Sequence, residues 1–280
     1  MIIEISLTII LFLFHFIVNK NKKKLFGKYL LDSPNLQRKI HKNPTYLIGG
    51  IFIFISYSIF FLSTFDNDLY QKLIFIFFLL CIFLVGILDD FIDLKPYYKL
   101  LLVLIIYLIL TKFDEKYLLK QIYLETFDKN LNFGIYSYII SPLCILLLIN
   151  SINLIDGING LAMMIFIILS IFLHLNLETD FNLFILIFYL FIFYNIFKGN
   201  YFLGNSGSLI IGALIGFSTI KAYNLNLVEK SSAENIVILF LIPGLDMLRL
   251  FIQRILRKKS PFEADNLHLH HYLITKLNLE

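Results

Sequence analysis

The sequence predicts an all-α polytopic membrane protein of about nine transmembrane helices, amino terminus outside and carboxyl terminus cytoplasmic. Three observations predict it. The 280 residues are 59% hydrophobic, and mean hydropathy is +0.80. Apolar runs recur along the chain without the alternating polar positions of a transmembrane β-strand. The basic residues are segregated: 17 of 24 fall in alternate connecting segments and the carboxyl end, and the positive-inside bias makes those segments cytoplasmic. No polar stretch is long enough for a soluble domain, so residues 1–280 read as one transmembrane domain. The compositional bias towards Lys, Ile, Asn and Phe gives no reason to read the lysines as a nucleic-acid surface.

Apolar windows fall at 4–19, 46–62, 73–88, 98–111, 134–149, 161–174, 181–197, 207–222 and 236–252. A span needs roughly 20 residues, so the short fourth and sixth windows borrow flanking residues. The first is a retained span, not a cleaved signal: no basic region precedes it, and Lys20–Lys24 follow. The next segment holds Arg38, Lys39 and His41, cations that serve either phosphate attraction or topology alone. Gly49-Gly50 opens the second span.

The third window ends in Asp89-Asp90, followed by Asp93, Lys95 and Lys99. Carboxylates at a membrane span are a functional signal by default. On a continued helix Asp89 and Asp93 share a face. Adjacent carboxylates repel unless a cation separates them, and a hard divalent ion such as Mg²⁺, held partly by substrate phosphates, meets that need. The external stretch 112–133 reads as a loop without chemistry.

After the fifth window, Asn150, Asn153, Asp156 and Gly160 recur at three- and four-residue steps, lining one helical face. Asn159 lies in the same run. Cys81 and Cys144 read as small buried hydrophobes, and His174 as a helix-end residue without chemistry. The eighth window opens with GNYFLGNSGS, where Gly204, Asn205, Ser206, Gly207 and Ser208 make a compact turn able to aim N–H groups at an anion. It is not the nucleotide-triphosphate loop, for GxxxxGK[ST] is absent.

Pro243, Asp246 and Arg249 mark the ninth window, with Asp246 and Arg249 at ion-pair spacing. Arg254, Arg257, Lys258 and Lys259 suit anionic headgroups. His268, His270 and His271 have no HExxH or cysteine partner for zinc, so donors to phosphate or a uracil-type base are the better use. All these clusters fall on the cytoplasmic face. Carboxylates for a metal, a glycine-serine turn and basic donors at one membrane face point to phosphoryl transfer involving a lipid phosphate. The clustering at one face, rather than at inverted midplane positions, argues against a transporter.

At these residues the chain resembles the bacterial polyprenyl-phosphate N-acetylhexosamine-1-phosphate transferases, of glycosyltransferase family 4 type. They include enzymes that initiate O-antigen and teichoic-acid linkage units, and the peptidoglycan translocase. The resemblance runs from Asp32 to His271. It covers D-x-P-N…R-K-x-H, Asp89-Asp90, N-S-I-N-L-I-D-G-I-N-G, F-L-G-N-S-G-S, P-x-x-D-x-x-R and D-x-L-H-L-H-H in order.

It implies transfer of N-acetylhexosamine-1-phosphate from a UDP-sugar to undecaprenyl phosphate, with release of UMP, at the bacterial inner membrane. Mg²⁺ is the implied cofactor, with Mn²⁺ as its substitute. The catalytic residues by carry-over are Asp89, Asp90, Asp156 and His268; the metal falls to Asp89, Asp90 and Asn205. Substrate contacts fall to Lys39, His41, Asn153, Asn159, Gly204, Ser206, Arg249, His270 and His271. The partners are the two substrates and the bilayer, with a homodimer left open. The motif spelling is closer to lipopolysaccharide enzymes than to the peptidoglycan branch.

Two departures stand out. The family has Asp where this chain has Asn205, and commonly Asp at Asn159. The chain also stops at Glu280, short of the family's final helix or helices. Asn205 and the early stop favour the alternative reading, a catalytically weakened homologue serving as a binding or scaffold subunit in polysaccharide assembly.

Overall fold

A computed structural model describes residues 2–33, 43–64, 68–177, 183–225 and 232–258. Each of the nine apolar windows holds helix. In chain order these are α1 (Ile2–Phe26), α2 (Gly49–Ser63), α3 (Leu69–Ile92), α4 (Pro96–Phe113), α5 (Ser137–Ile155), α6 (Leu161–Leu177), α7 (Leu183–Phe197), α8 (Gly204–Leu225), α9 (Ala233–Leu239) and α10 (Leu241–Leu256). Among the described residues, five helices are long and apolar enough to cross a membrane. The α9–α10 pair is a sixth candidate, and α2, α6 and α7 are shorter apolar helices.

Local chemistry explains several boundaries. Asp68 caps α3 by accepting the Gln71 N–H at 3.2 Å. Pro96 starts α4, where its missing N–H has no helical use. The ninth window is two helices bent by 68° rather than one. Pro243 has no N–H to give the carbonyl four residues back, at Leu239, so the first turn after the break is where it fits.

The stretch 112–133 is more ordered than a loop. Strands β3 (Gln121–Leu124) and β4 (Lys129–Asn132) pair antiparallel in register Gln121 to Asn132. Their connection turns through Asp128 at φ 48°. Glu234, in the first turn of α9, accepts the Glu125 and Thr126 N–H groups at 3.2 Å each.

The hub is α8. Of its most apolar 18-residue stretch 78% is buried, against 22–44% for the other four span-length helices. It packs against α2, α3, α5 and α6. Its Gly, Ser and Ala residues let those backbones come close, as expected where lipid supplies no hydrophobic drive between helices. Outer helices present Leu, Ile and Phe outward instead, and Cys144 is exposed among them, against the buried place expected for it. On an apolar span, lipid-facing and core-facing positions carry the same residue types.

Candidate active site

The start of α8 is laced to the start of α2. Strands β1 (Leu31–Asp32) and β2 (Thr45–Tyr46) pair antiparallel, and Leu47 bridges Phe202 in parallel. The Phe202 N–H donates to the Tyr46 carbonyl at 2.8 Å, and the Gly49 N–H to the Phe202 carbonyl at 2.9 Å. This fixes where the glycine-serine turn sits.

Asp90 reaches that turn from α3. Its Oδ1 accepts the Asn205 N–H at 2.7 Å and its Oδ2 accepts the Ser206 N–H at 3.1 Å. These N–H groups have no helical acceptor, and a carboxylate at the positive end of a helix is stabilised there. The anion served by the turn is thus a residue of the protein. Gly204 has φ +76°, and a Cβ on it would lie 2.9 Å from Asp90 Oδ2, so backbone conformation and space both demand glycine.

Asn153 joins from α5: Ser208 donates its hydroxyl to Asn153 Oδ1 at 2.8 Å. Three motifs distant in sequence therefore meet at one helix terminus. Asp156 follows α5 as its C-cap, half-buried as a residue. Protein around its carboxyl, and then the charge of Asp90, push it well above the ordinary carboxylate range. No described hydrogen bond or ion pair holds it. Asn159 is exposed in the turn before α6, ahead of Gly160 at φ +86°.

Asp89 sits beside Asp90 but works elsewhere. It is 4% exposed. Its Oδ2 accepts from Lys99 Nζ of α4 at 2.8 Å, and its Oδ1 from the Leu94 N–H at 2.9 Å. Asp93 does not extend the Asp89 face, because the helix ends at Ile92 and Asp93 is its left-handed cap at φ 50°. Lys99 was visible in the sequence without being assigned this partner. Gly86, one turn before Asp90, was missed; a lone glycine inside an apolar helix was the available signal.

Arg249 pairs with Asp246 as its spacing predicts, with Nη2 2.7 Å and Nε 3.2 Å from Oδ1. Asn150 touches the same helix through Met247, Nδ2 to Sδ at 3.7 Å. Lys39, His41, His268, His270 and His271 lie outside the described residues. Among the described residues no three His, Cys, Asp or Glu side chains form a metal-binding group.

The family model described as glycosyl transferase family 4 matches residues 72–223. A phospho-N-acetylmuramoyl-pentapeptide-transferase of Petrotoga mobilis is 30% identical over 76% of this chain and 71% of its own length. An undecaprenyl-phosphate alpha-N-acetylglucosaminyl 1-phosphate transferase of Thermotoga maritima is 28% identical over 88% of this chain and 74% of its own. One of the same name from Haemophilus influenzae is 31% identical over 88% and 72%.

Proposed function

The chain belongs to glycosyl transferase family 4, and we propose that it transfers N-acetylhexosamine-1-phosphate from a UDP-sugar to undecaprenyl phosphate. The carrying observation is the meeting of Asp90, Asn153 and the Asn205–Ser206 turn at the start of α8. In this reading nine spans place the amino terminus outside and the site on the cytoplasmic face of the bacterial inner membrane, as the basic segments favour.

The lipid phosphate, already ionised at neutral pH, attacks the sugar-bearing phosphorus of the donor through its oxygen. The bond from that phosphorus to the UMP oxygen breaks, and the products are undecaprenyl-pyrophosphate-sugar and UMP. Asp90 holds the α8 turn rigid, so the site need not reorganise as charge moves. Asn153 and Asn159 offer amides to the nucleotide-sugar, with Gly204 and Ser206 forming the wall beside it. By the resemblance, Lys39, His41, Arg249, His270 and His271 are assigned to substrate binding, and His268 to catalysis.

The donor set suits Mg²⁺. Asp90, Asp156 and Asn205 carry side-chain oxygens that a hard divalent ion accepts, and among the described residues no hydrogen bond or ion pair holds Asp156. Asp89, the third metal ligand expected from the sequence, is already neutralised by the buried Lys99 ammonium, whereas Asp90 meets only the neutral N–H groups of Asn205 and Ser206. When bound, the ion neutralises charge on the pyrophosphate.

Membranes containing the protein, supplied with UDP-N-acetylglucosamine, undecaprenyl phosphate and Mg²⁺, test the reading. UMP release that requires the lipid, together with lipid-linked sugar, supports it. Retention of the UDP-sugar without turnover would replace it with the scaffold reading.

A further inference from the structure

We propose that His15, buried inside α1, is a positioning residue for this site, acting through Tyr201. The inference rests on the reading of the α8 turn as catalytic. His15 is 3% exposed and Tyr201 fully buried. A 2.9 Å hydrogen bond joins His15 Nε2 to Tyr201 Oη, across 186 positions of sequence. The imidazole is enclosed by aromatic rings, with centroids 4.5 Å from Phe52 and 4.7 Å from Phe191. In such surroundings an unpartnered phenol or imidazole is expensive, so each group fixes the other.

Tyr201 lies three residues before Gly204, on the strand-like approach to α8. A second bond from the same helix face holds its neighbour: Lys22 Nζ donates to the Asn200 carbonyl at 2.7 Å. His15 and Lys22 are seven residues apart, two turns, on the stripe that buries Thr8, Leu11 and Val18. Only 22% of the most apolar stretch of α1 is buried. Apolar packing comes from a narrow stripe, Leu11 and Val18 with Phe12 against Phe188 and Phe191, and the polar bonds add to it in setting the register. From Tyr201 the path is short: Phe202 bridges Leu47, Leu203 accepts the Gly50 N–H at 3.1 Å, and Asn205 and Ser206 grip Asp90. The first helix thereby holds the turn without touching substrate.

The test uses the full-length protein in lipid nanodiscs, as His15→Phe, Tyr201→Phe, the double variant and His15→Gln. Phenylalanine keeps the packing and deletes the bond; Tyr201→Phe removes a single oxygen. Amide hydrogen exchange is read in the segment 201–208, and kcat and KM separately. Each single variant is expected to speed exchange at Asn205 and Ser206 about tenfold while the middle of α5 is unchanged. It should lower kcat about five- to tenfold with KM nearly constant. The double variant should match the singles, because both act through one bond, and His15→Gln should recover most of the loss. Unchanged exchange at 205–206, or additive effects in the double variant, overturns the proposal. Absence of sugar-phosphate transfer by the unaltered protein would sink the proposed function, and the exchange arm would still decide the role of His15.

Discussion

Gly86 of α3 and Ser206 of α8 meet backbone to backbone: a Cβ on Gly86 would fall 2.4 Å from Ser206 Cα and 2.8 Å from its nitrogen. One turn further along α3, Asp90 takes the N–H of that same serine. The contact sets the separation at which the carboxylate can reach the turn. Gly86→Ala is therefore expected to push the helices apart, lowering transfer at least about tenfold and stability by about 1–3 kcal/mol. Gly244→Ala is the control, since a Cβ there meets nothing within 4 Å. Thermal melts and UMP release of the two variants make the comparison; equal behaviour would remove the geometric argument.

Asn205 carries no charge, where the motif that the chain resembles leads one to expect an aspartate. Its backbone N–H already serves Asp90, so a new side-chain carboxylate leaves that bond in place. Asn205→Asp should lower the Mg²⁺ concentration for half-maximal transfer about tenfold, because ligand charge tunes affinity for hard cations. Titrating Mg²⁺ at fixed substrates measures it. No gain at low Mg²⁺ would show that the metal is held elsewhere.

Asp156 makes stability depend on pH in a defined direction. Its folded pKa lies above the ordinary value near 3.9. Below that value both states are protonated and it contributes nothing. Above it the unfolded chain ionises first, so the folded state loses stability as pH rises, until the folded group also ionises and the penalty levels off. Metal-free protein should melt lower at pH 8 than at pH 5, and Asp156→Asn should remove part of that difference. Added Mg²⁺ should raise the wild-type melting temperature at pH 8 more than that of the variant.

Lys99 and Asp89 are both nearly enclosed, with 11% and 5% of their side chains exposed. Lys99→Met strands a buried carboxylate and is expected to cost about 3–5 kcal/mol. Adding Asp89→Asn should recover much of it, since the amide needs no counter-charge. A double-mutant cycle by thermal melting checks this; additive losses would mean that the pair does not act as one unit.

Much of the helical layout was legible because a membrane span is written in composition: every apolar window holds helix. The meeting of Asp90, Asn153 and Asn205 was legible in kind, since polar groups at span ends have few reasons to be there. Their partners were not. Asp89 and Asp90 look equivalent as neighbours, yet a helix turns 100° per residue and sends one to Lys99 and the other to α8. Asp93 was expected to share the Asp89 face, because nothing in its identity announces a left-handed cap. The hairpin at 121–132 was hidden by short strands whose alternation is broken by polar residues. That α8 is the hub was hinted at by its glycines and serines, which lower its hydropathy while allowing close approach. His15 was not singled out in the sequence, because only its contact with Tyr201, 186 positions away, marks it.

The enclosure of α8 has a consequence for how the bilayer acts on this protein. A helix with no face towards acyl chains cannot answer directly to membrane thickness. Thinner or thicker lipid will first tilt helices such as α1, α4 and the bent α9–α10 pair, which expose Leu and Ile and are not among those packed most closely on α8. The floor on which the reaction runs stays level until those outer helices shift the ones that clasp it.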